Sequence, residues 1–131
     1  MDISIYFDSI DVSWFSFNEK RPKFGDVFIK NTEKDSFPDI GSLDIAVIGV
    51  PEERGAQNNS GCRKGPEIIR KYLYELFPGD YHARIGDLGN LIPGDSLNDT
   101  YFALNSAIST LLDNKVIPVI IGGSQDLTFA N

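Results

Sequence analysis

The pattern of hydrophobic and polar positions becomes regular at residue 43. From there on, three short apolar runs alternate with two segments whose apolar residues recur at helical spacing. Residues 43–50 and 116–121 are near-continuous apolar runs rich in β-branched residues, which is typical of strands buried on both faces of a parallel sheet. Residues 83–89 form a shorter, weaker strand candidate with an acidic end. The pattern therefore predicts three strands.

Two helices are predicted between these strands. The first begins at Gly65-Pro66-Glu67, with proline in the first turn and an acid near the positive end of the helix dipole, and it ends at Pro78-Gly79. Its predicted buried stripe is Ile68, Ile69, Tyr72, Leu73, Leu76 and Phe77. The second covers residues 100–114 after a cap at Asn98 or Asp99. Its predicted buried stripe is Leu104, Ala107, Ile108, Leu111 and Leu112.

Residues 1–42 lack a regular pattern but are rich in aromatic side chains. Disordered segments are poor in aromatics, so we expect this segment to be ordered. We predict an aromatic-rich arm that wraps the outside of the domain or, alternatively, contacts a partner subunit. Residues 43–131 are then the N-terminal part of a second unit, an α/β domain.

Strands that alternate with helices predict an α/β fold, here a βαβαβ unit with a parallel sheet and helices on both faces in three layers. The third strand is among the most apolar stretches of the chain, which suits a central position in a larger sheet. Only ten residues follow it, so we expect the domain to be interrupted after this strand. Exposed sheet edges would then favour self-association.

Composition and charge narrow the range of partners. The 131 residues carry a net charge of −7, and the basic residues around Arg63 and Arg70 are interspersed with acids, so we expect no nucleic-acid partner. No apolar run approaches the roughly 18–20 residues that span a bilayer, so no membrane partner is expected. Cys62 is the only cysteine and can form no intrachain disulfide, which favours a cytoplasmic location.

The loops after the strands are the predicted location of a site, because ligands of parallel α/β sheets bind outside the carboxyl ends of the strands. After the third strand, Gly122-Gly123 allows a sharp turn that directs Ser124, Gln125 and Asp126 towards this crevice. Asn58 and Asn59 follow the first strand and are candidates to border a substrate, although polar loops are common without any such role.

Two nucleotide-binding motifs are excluded. The residues after Gly49 do not follow the G-x-G-x-x-G pattern of dinucleotide-binding folds. The Gly61–Gly65 segment approaches the glycine spacing of a phosphate-binding loop, but Pro66 stands where that loop requires lysine.

Four motifs occur in order along the chain: Val47-Ile48-Gly49-Val50-Pro51; Gly61-x-x-x-Gly65-Pro66-x-x-Ile69-Arg70; Gly86-Asp87-Leu88-Gly89-Asn90; and Pro118-Val119-Ile120-Ile121-Gly122-Gly123. The series resembles the N-terminal part of the ureohydrolases, which comprise arginase, agmatinase and formiminoglutamase. The resemblance covers residues 43–131 and is greatest to formiminoglutamase-like members. It implies an arginase-type α-β-α fold, of which this chain has the first βαβαβ part.

The resemblance also implies a metal-dependent hydrolysis. Family members hold two manganese ions that activate a bridging hydroxide, which attacks the carbon of a small linear amidine or guanidine. The first metal ligand of the family is the histidine of a G-G-D-H-S turn, and Gln125 stands at that position here. Three interpretations of Gln125 are open. It is a non-ligand in a protein that lost one metal or its activity, or it is a weak or outer-shell ligand. In the third, the turn is shifted and Asp126 is the ligand instead.

Three functional hypotheses follow. In the first, the intact protein is a metal-dependent hydrolase of C–N bonds in linear amidines. The 131 residues alone are then expected to be inactive and to bind no manganese, because they contain no counterpart of the family's D-A-H-x-D and D-x-D ligand motifs. The second hypothesis is a pseudoenzyme or assembly subunit that keeps the fold without catalysis. The third is an unrelated α/β binding domain.

Overall fold

The computed structural model describes residues 1–130, which form one five-stranded mixed sheet with helices. The strands are β1 (Phe7–Asp8), β2 (Ile29–Lys30), β3 (Ile45–Val50), β4 (Ile85–Leu91) and β5 (Ile117–Gly122). The sheet order is β1-β4-β3-β5, and β2 also pairs with β4. No helix within the described residues is long and apolar enough to cross a membrane.

The centre of the sheet confirms the predicted parallel α/β fold. β3 lies between β4 and β5 and is parallel to both, so that Val47 is paired with Asp87 on one side and Val119 on the other. Alternate residues of a strand point to opposite faces. Ile48 and Val50 accordingly pack in the cluster that contains the second long helix, whereas Val47 packs with the aromatic residues of the arm.

The arm takes part in the sheet, which the sequence did not predict. β1 pairs antiparallel with the end of β4, and β2 pairs parallel with its beginning. A short helix, α1 (Phe24–Val27), precedes β2. Phe15 and Phe28 are buried against Tyr74, with edge-on ring contacts whose centroids are 5.8 and 5.7 Å apart. The arm therefore supplies part of the core on one face of the sheet.

The first long helix, α2 (Gly65–Leu73), begins at the predicted residue but ends before Pro78 and buries a different face. Most of the predicted apolar stripe is exposed: Ile68, Ile69, Tyr72, Leu76 and Phe77. The buried residues are instead Pro66, Arg70 and Tyr74 at a spacing of four. The prediction was wrong because a buried ion pair compensates for the charge of Arg70, which hydrophobic periodicity does not detect.

The second long helix, α3 (Leu97–Asp113), agrees better with its pattern. Leu104, Ala107, Ile108 and Leu111 are buried as predicted, whereas Leu112 is exposed. The cap is Ser96 rather than Asn98 or Asp99. The Ser96 hydroxyl accepts a hydrogen bond from the N–H of Asp99, whose carboxylate accepts the N–H of Ser96 at 2.8 Å. This reciprocal capping box starts the helix earlier than predicted.

Within the sheet formed by residues 1–130, β5 has a single strand neighbour, β3. Ile117 and Val119 are 61% and 42% exposed, because no further strand or helix of the described residues covers them. Within residues 1–130, the apolar residues of this strand are therefore only partly buried.

Candidate functional site

The loops that follow β3, β4 and β5 are joined by hydrogen bonds at the carboxyl end of the sheet. The N–H of Ser124 donates to the carbonyl oxygen of Glu52 at 2.9 Å, and its hydroxyl donates to the same oxygen at 3.2 Å. Gly123 passes so close that an added Cβ would lie 2.0 Å from that oxygen. The second glycine of the turn is thus required by close contact between two loops.

The side chain of Glu52 links the loop after β3 to the loop after β4. Its carboxylate accepts bonds from Nε and Nη2 of Arg54 at 2.9 and 2.6 Å, and from the Thr100 hydroxyl at 3.0 Å. Arg54 also donates to the carbonyl oxygens of Gly94 and Asp95 at 2.8 and 2.9 Å. Glu52 is therefore the centre of a network that fixes the loops relative to one another.

The hydrogen bonds of this network make Glu52 a stronger acid than an ordinary glutamate. The hydrogen bonds from Arg54 lower the pKa of Glu52 to about 2, outweighing the opposing effect of its burial. The carboxylate is ionised at neutral pH even though only 2% of the residue is exposed. Sequence analysis missed this network because Thr100 is far from Glu52 in sequence. The available signal was the Glu52-x-Arg54 pair directly after a buried strand.

A cleft of about 290 Å³ lies between the loop after β3 and the turn after β5. Four of the residues singled out from the sequence meet there or form its wall: Asn59, Ser124, Gln125 and Asp126. Gly55, Ala56 and Gln57 complete the lining. Asn58 does not line the cleft; it is exposed and has a positive φ of 56°. The structure thus brings together all but one of the candidate residues.

Gln125 and Asp126 differ in their surroundings. Gln125 is exposed at the start of a 3₁₀ turn, Gln125–Ala130. Oδ2 of Asp126 accepts a hydrogen bond from the Tyr101 hydroxyl on α3, which raises the pKa of Tyr101 to about 12. Oδ1 of Asp126 is buried and has no hydrogen-bond partner among residues 1–130. Asp126 is the more constrained residue of the two.

A second buried polar network holds α2 to β4. Nε and Nη2 of Arg70 donate to the two oxygens of Asp87 at 2.8 and 2.9 Å, and the Tyr74 hydroxyl donates to Asp87 at 2.8 Å. Burial and the carboxylate of Asp87 raise the pKa of Tyr74. Arg70 therefore forms a buried ion pair with Asp87. Asp87 lies within β4 and is fully buried.

The described residues do not provide a metal centre by themselves. No group of three or more His, Cys, Asp or Glu side chains within residues 1–130 is placed to hold a metal ion. The turn contributes one constrained carboxylate, Asp126, and one neutral amide, Gln125. Divalent manganese prefers several oxygen or imidazole donors, so this pair falls short of a complete ligand set.

Comparison with known proteins identifies relatives of this chain. The model of the arginase family matches residues 43–131. Formimidoylglutamase of Clostridium tetani is 32% identical over an alignment of 109 residues, and the match covers 77% of this chain and 32% of the relative. The mitochondrial guanidino acid hydrolase of Mus musculus is 33% identical over an alignment of 96 residues, and the match covers 66% of this chain and 27% of the relative.

A solved structure supports the same relationship. Trypanosoma cruzi formiminoglutamase, crystallised with Mn²⁺, superposes with a TM-score of 0.69 at 25% identity over 85% of this chain and 38% of that chain. The chain thus spans about a third of the length of its curated relatives. The family match extends over most of the sequence and includes β3, β4, β5 and both long helices. The chain therefore belongs to the arginase family.

Proposed function

We propose that this chain is the N-terminal part of a hydrolase that cleaves C–N bonds in a small linear amidine or guanidine. The observation that carries the proposal is the cleft at the carboxyl ends of β3 and β5, which in this family fold is lined by a carboxylate, a hydroxyl and side-chain amides. The relatives whose names specify an amidine or guanidine substrate support the chemical class.

The residues of this chain would bind and orient substrate in that reaction. Ser124 and Asn59 border the cleft and would position a polar substrate, while Glu52 and Arg54 keep the loops at a fixed separation. A manganese pair, when bound in such a hydrolase, supplies an activated hydroxide. The Mn²⁺ in the T. cruzi structure supports this choice of metal for the intact protein.

We further propose that the 131 residues alone neither bind manganese tightly nor hydrolyse amidines. The one constrained carboxylate and the exposed Gln125 leave the ligand set incomplete within the described residues. We propose a cytoplasmic location, supported by the single cysteine. The net charge of −7 supports the absence of a nucleic-acid partner.

The direct test uses the natural polypeptide that carries this sequence, isolated from its source. With Mn²⁺ present, it should release the free amine from formimidoylglutamate or from a guanidino acid, and chelation of the metal should abolish this release. Absence of turnover with both substrate types, in folded protein loaded with Mn²⁺, would overturn the hydrolase proposal. The same assay on the 131-residue chain should show no release, and manganese-dependent turnover there would overturn its proposed inactivity.

A second candidate function is a non-catalytic subunit that retains the fold. The observation that favours it is the exposed Gln125 at the position of the family's first histidine ligand, beside an Asp126 already engaged by Tyr101. Manganese titration of the natural polypeptide, followed by electron paramagnetic resonance, separates the two candidates. Stoichiometric manganese favours the hydrolase, whereas folded protein without bound manganese favours the non-catalytic subunit.

A further inference from the structure

Asp126 is the one ionisable residue among the described residues that line the cleft between the loop after β3 and the turn after β5. The other lining residues are glycine, alanine, serine and the side-chain amides of Gln57, Asn59 and Gln125. None of these carries a charge at neutral pH, whereas an aspartate is ionised there. The negative charge of the cleft wall formed by residues 1–130 therefore comes from a single side chain.

The charge of Asp126 is not compensated by a basic residue within residues 1–130. The salt bridges of this part of the chain join other carboxylates to Lys or Arg, and Asp126 takes part in none of them. Arg54, in the same loop as Gly55, is already paired with Glu52 at 2.6 Å. A cation that enters the cleft would therefore meet a carboxylate that the described residues leave without a counter-charge.

The carboxylate of Asp126 also has unused capacity to accept hydrogen bonds. An ionised carboxylate accepts about four of them. Within residues 1–130, the Tyr101 hydroxyl donates to Oδ2, and Oδ1 is buried without a hydrogen-bond partner. Leaving a buried acceptor unsatisfied destabilises a protein, so such an atom in a cleft wall calls for a specific explanation. A ligand that donates N–H groups from the cleft would provide one.

The carboxylate of Asp126 is held in place before any ligand binds. The Tyr101 hydroxyl on α3 bonds to Oδ2, and the backbone of Gly55 packs against the carboxylate, since an added Cβ there would lie 2.1 Å from Oδ2. An acceptor that is already positioned needs little reordering when a ligand binds, which lowers the entropic cost of binding. The geometry thus favours recognition of a planar donor group of fixed shape.

We propose that Asp126 makes this cleft select positively charged amidines and guanidines over neutral compounds of the same shape. This inference rests on the proposed function and names the specificity-determining group of the same cleft. The N–H groups of an amidinium or guanidinium would donate charge-assisted hydrogen bonds to the carboxylate, as an arginine side chain does. The amides of Gln57, Asn59 and Gln125 offer donors and acceptors without adding charge.

Neutral analogues of these cations differ from them at one atom. In a urea or an amide, a carbonyl oxygen replaces one nitrogen of the cation, so that the charge and a donor are lost together. Charge-assisted hydrogen bonds are about twice as strong as neutral ones. We therefore expect the neutral analogue to bind more weakly wherever the Asp126 carboxylate contacts the ligand.

The first experiment measures binding without turnover, in the natural polypeptide freed of metal by chelation. Two matched pairs of probes are used: guanidinoacetate with ureidoacetate, and formimidoylglutamate with formylglutamate. Isothermal titration calorimetry at neutral pH should give at least about tenfold tighter binding of the cation in the pair that resembles the substrate. Equal dissociation constants within both pairs, or no binding of either cation, would overturn the proposal.

The second experiment repeats the titrations with two aspartate substitutions. Asp126→Asn keeps the shape of the side chain but removes its charge. It should weaken binding of the cation about tenfold and leave the neutral analogue unchanged. Asp113→Asn is the matched control, because Asp113 is exposed at the end of α3, about 18 Å along the helix from Tyr101, and should keep the preference. A preference that persists in Asp126→Asn, or that both substitutions abolish, would contradict the role of Asp126.

A third measurement decides if Asp126→Asn fails to fold. The carboxyl-carbon resonance of Asp126 in the unaltered polypeptide should shift on titration with the cation and stay in place with the neutral analogue. A resonance that responds to neither compound, or to both equally, would overturn the proposal.

The outcomes also separate this inference from the proposed hydrolysis. Manganese-dependent turnover together with a preference for cations that survives Asp126→Asn would remove only the role of Asp126. A preference that depends on Asp126, in a polypeptide that shows no turnover with manganese, would remove the hydrolysis and leave the cation selectivity of the cleft in place.

Discussion

The Tyr101 hydroxyl donates a hydrogen bond to Oδ2 of Asp126, which connects α3 to the turn after β5. The other carboxylate oxygen has no hydrogen-bond partner within residues 1–130. Asp126 therefore depends on one side chain for its position, and that side chain belongs to a different element. The cleft is shaped by this tertiary contact as well as by the Gly122-Gly123 turn.

Replacing Tyr101 by phenylalanine should lower the urea concentration at the midpoint of unfolding, because the half-buried carboxylate of Asp126 loses its only side-chain donor within residues 1–130. The hydroxyl removed is the group whose pKa is raised to about 12 by this contact. Urea titration followed by circular dichroism is the measurement. Tyr72→Phe is the control, since Tyr72 is 75% exposed. Equal midpoints for Tyr101→Phe and the unaltered chain would show that the hydrogen bond does not stabilise the fold.

The ion pair between Arg70 and Asp87 is the most deeply buried charge pair of the described residues, and Asp87→Asn should destabilise the protein by about 3–5 kcal/mol. The substitution preserves the shape of the side chain but leaves the guanidinium of Arg70 buried without a counter-charge. Glu67→Gln removes the exposed partner of Lys71 and is the matched control, with an expected change below about 1 kcal/mol. Similar free energies of unfolding for the two variants would contradict the structural interpretation.

The ion pair between Arg70 and Asp87 also shows which parts of the structure could be predicted from the sequence. β3, β5 and the buried face of α3 follow from local periodicity, and the resemblance locates the turn at Gly122-Gly123. The buried face of α2 was not predictable in this way, because Arg70 is stabilised inside by Asp87, a residue on another element. Hydrophobic periodicity along the sequence indicates which apolar residues are buried. It does not indicate which charged residues are buried in ion pairs with residues of other elements.

The same limit applies to the site. Ser124, Gln125 and Asp126 are consecutive and follow an apolar strand, so sequence could place them together. The Glu52–Arg54–Thr100 network could not be derived, because the partner of Glu52 lies on α3 and the carbonyl oxygens that bind Arg54 belong to the loop after β4. Contacts between three separate loops depend on the order of the strands in the sheet.

Glu52 should make the stability of the fold depend on pH in the acid range. Its pKa is about 2 in the folded protein, below the ordinary value of 4.5. The stabilisation is therefore fully present above about pH 4.5 and is lost as the pH falls towards 2, a difference of about 2–3 kcal/mol. Urea unfolding at a series of pH values between these limits measures it.

Glu52→Gln is the variant that isolates this contribution. Because glutamine does not ionise, the variant should be less stable than the unaltered chain at pH 6, and the gap should narrow as the pH is lowered to 2. Glu19→Gln, which changes an exposed glutamate in the arm, should leave the pH dependence unaltered. A constant difference between Glu52→Gln and the unaltered chain at all pH values would mean that the ion pair does not cause the effect.

Gly55 closes the cleft over Asp126, and a side chain there should displace the carboxylate. An added Cβ would lie 2.1 Å from Oδ2 and 2.5 Å from Oδ1 of Asp126, so Gly55→Ala requires the carboxylate to leave the position in which it accepts the hydrogen bond of Tyr101. We expect a lower unfolding midpoint for Gly55→Ala. Gly41→Ala is the control, because its nearest contact would be an ordinary 3.6 Å.

The decisive measurement is the double variant of Gly55→Ala with Tyr101→Phe. If both substitutions act by breaking the same hydrogen bond, the second should add little once the first is present, and the combined loss of stability should be smaller than the sum. Fully additive losses would show that Gly55→Ala acts elsewhere, for example on the loop after β3. Non-additivity would show that both substitutions act through the Asp126 carboxylate, which is then the group whose position in the cleft depends on the Tyr101 hydrogen bond and on the absence of a side chain at Gly55.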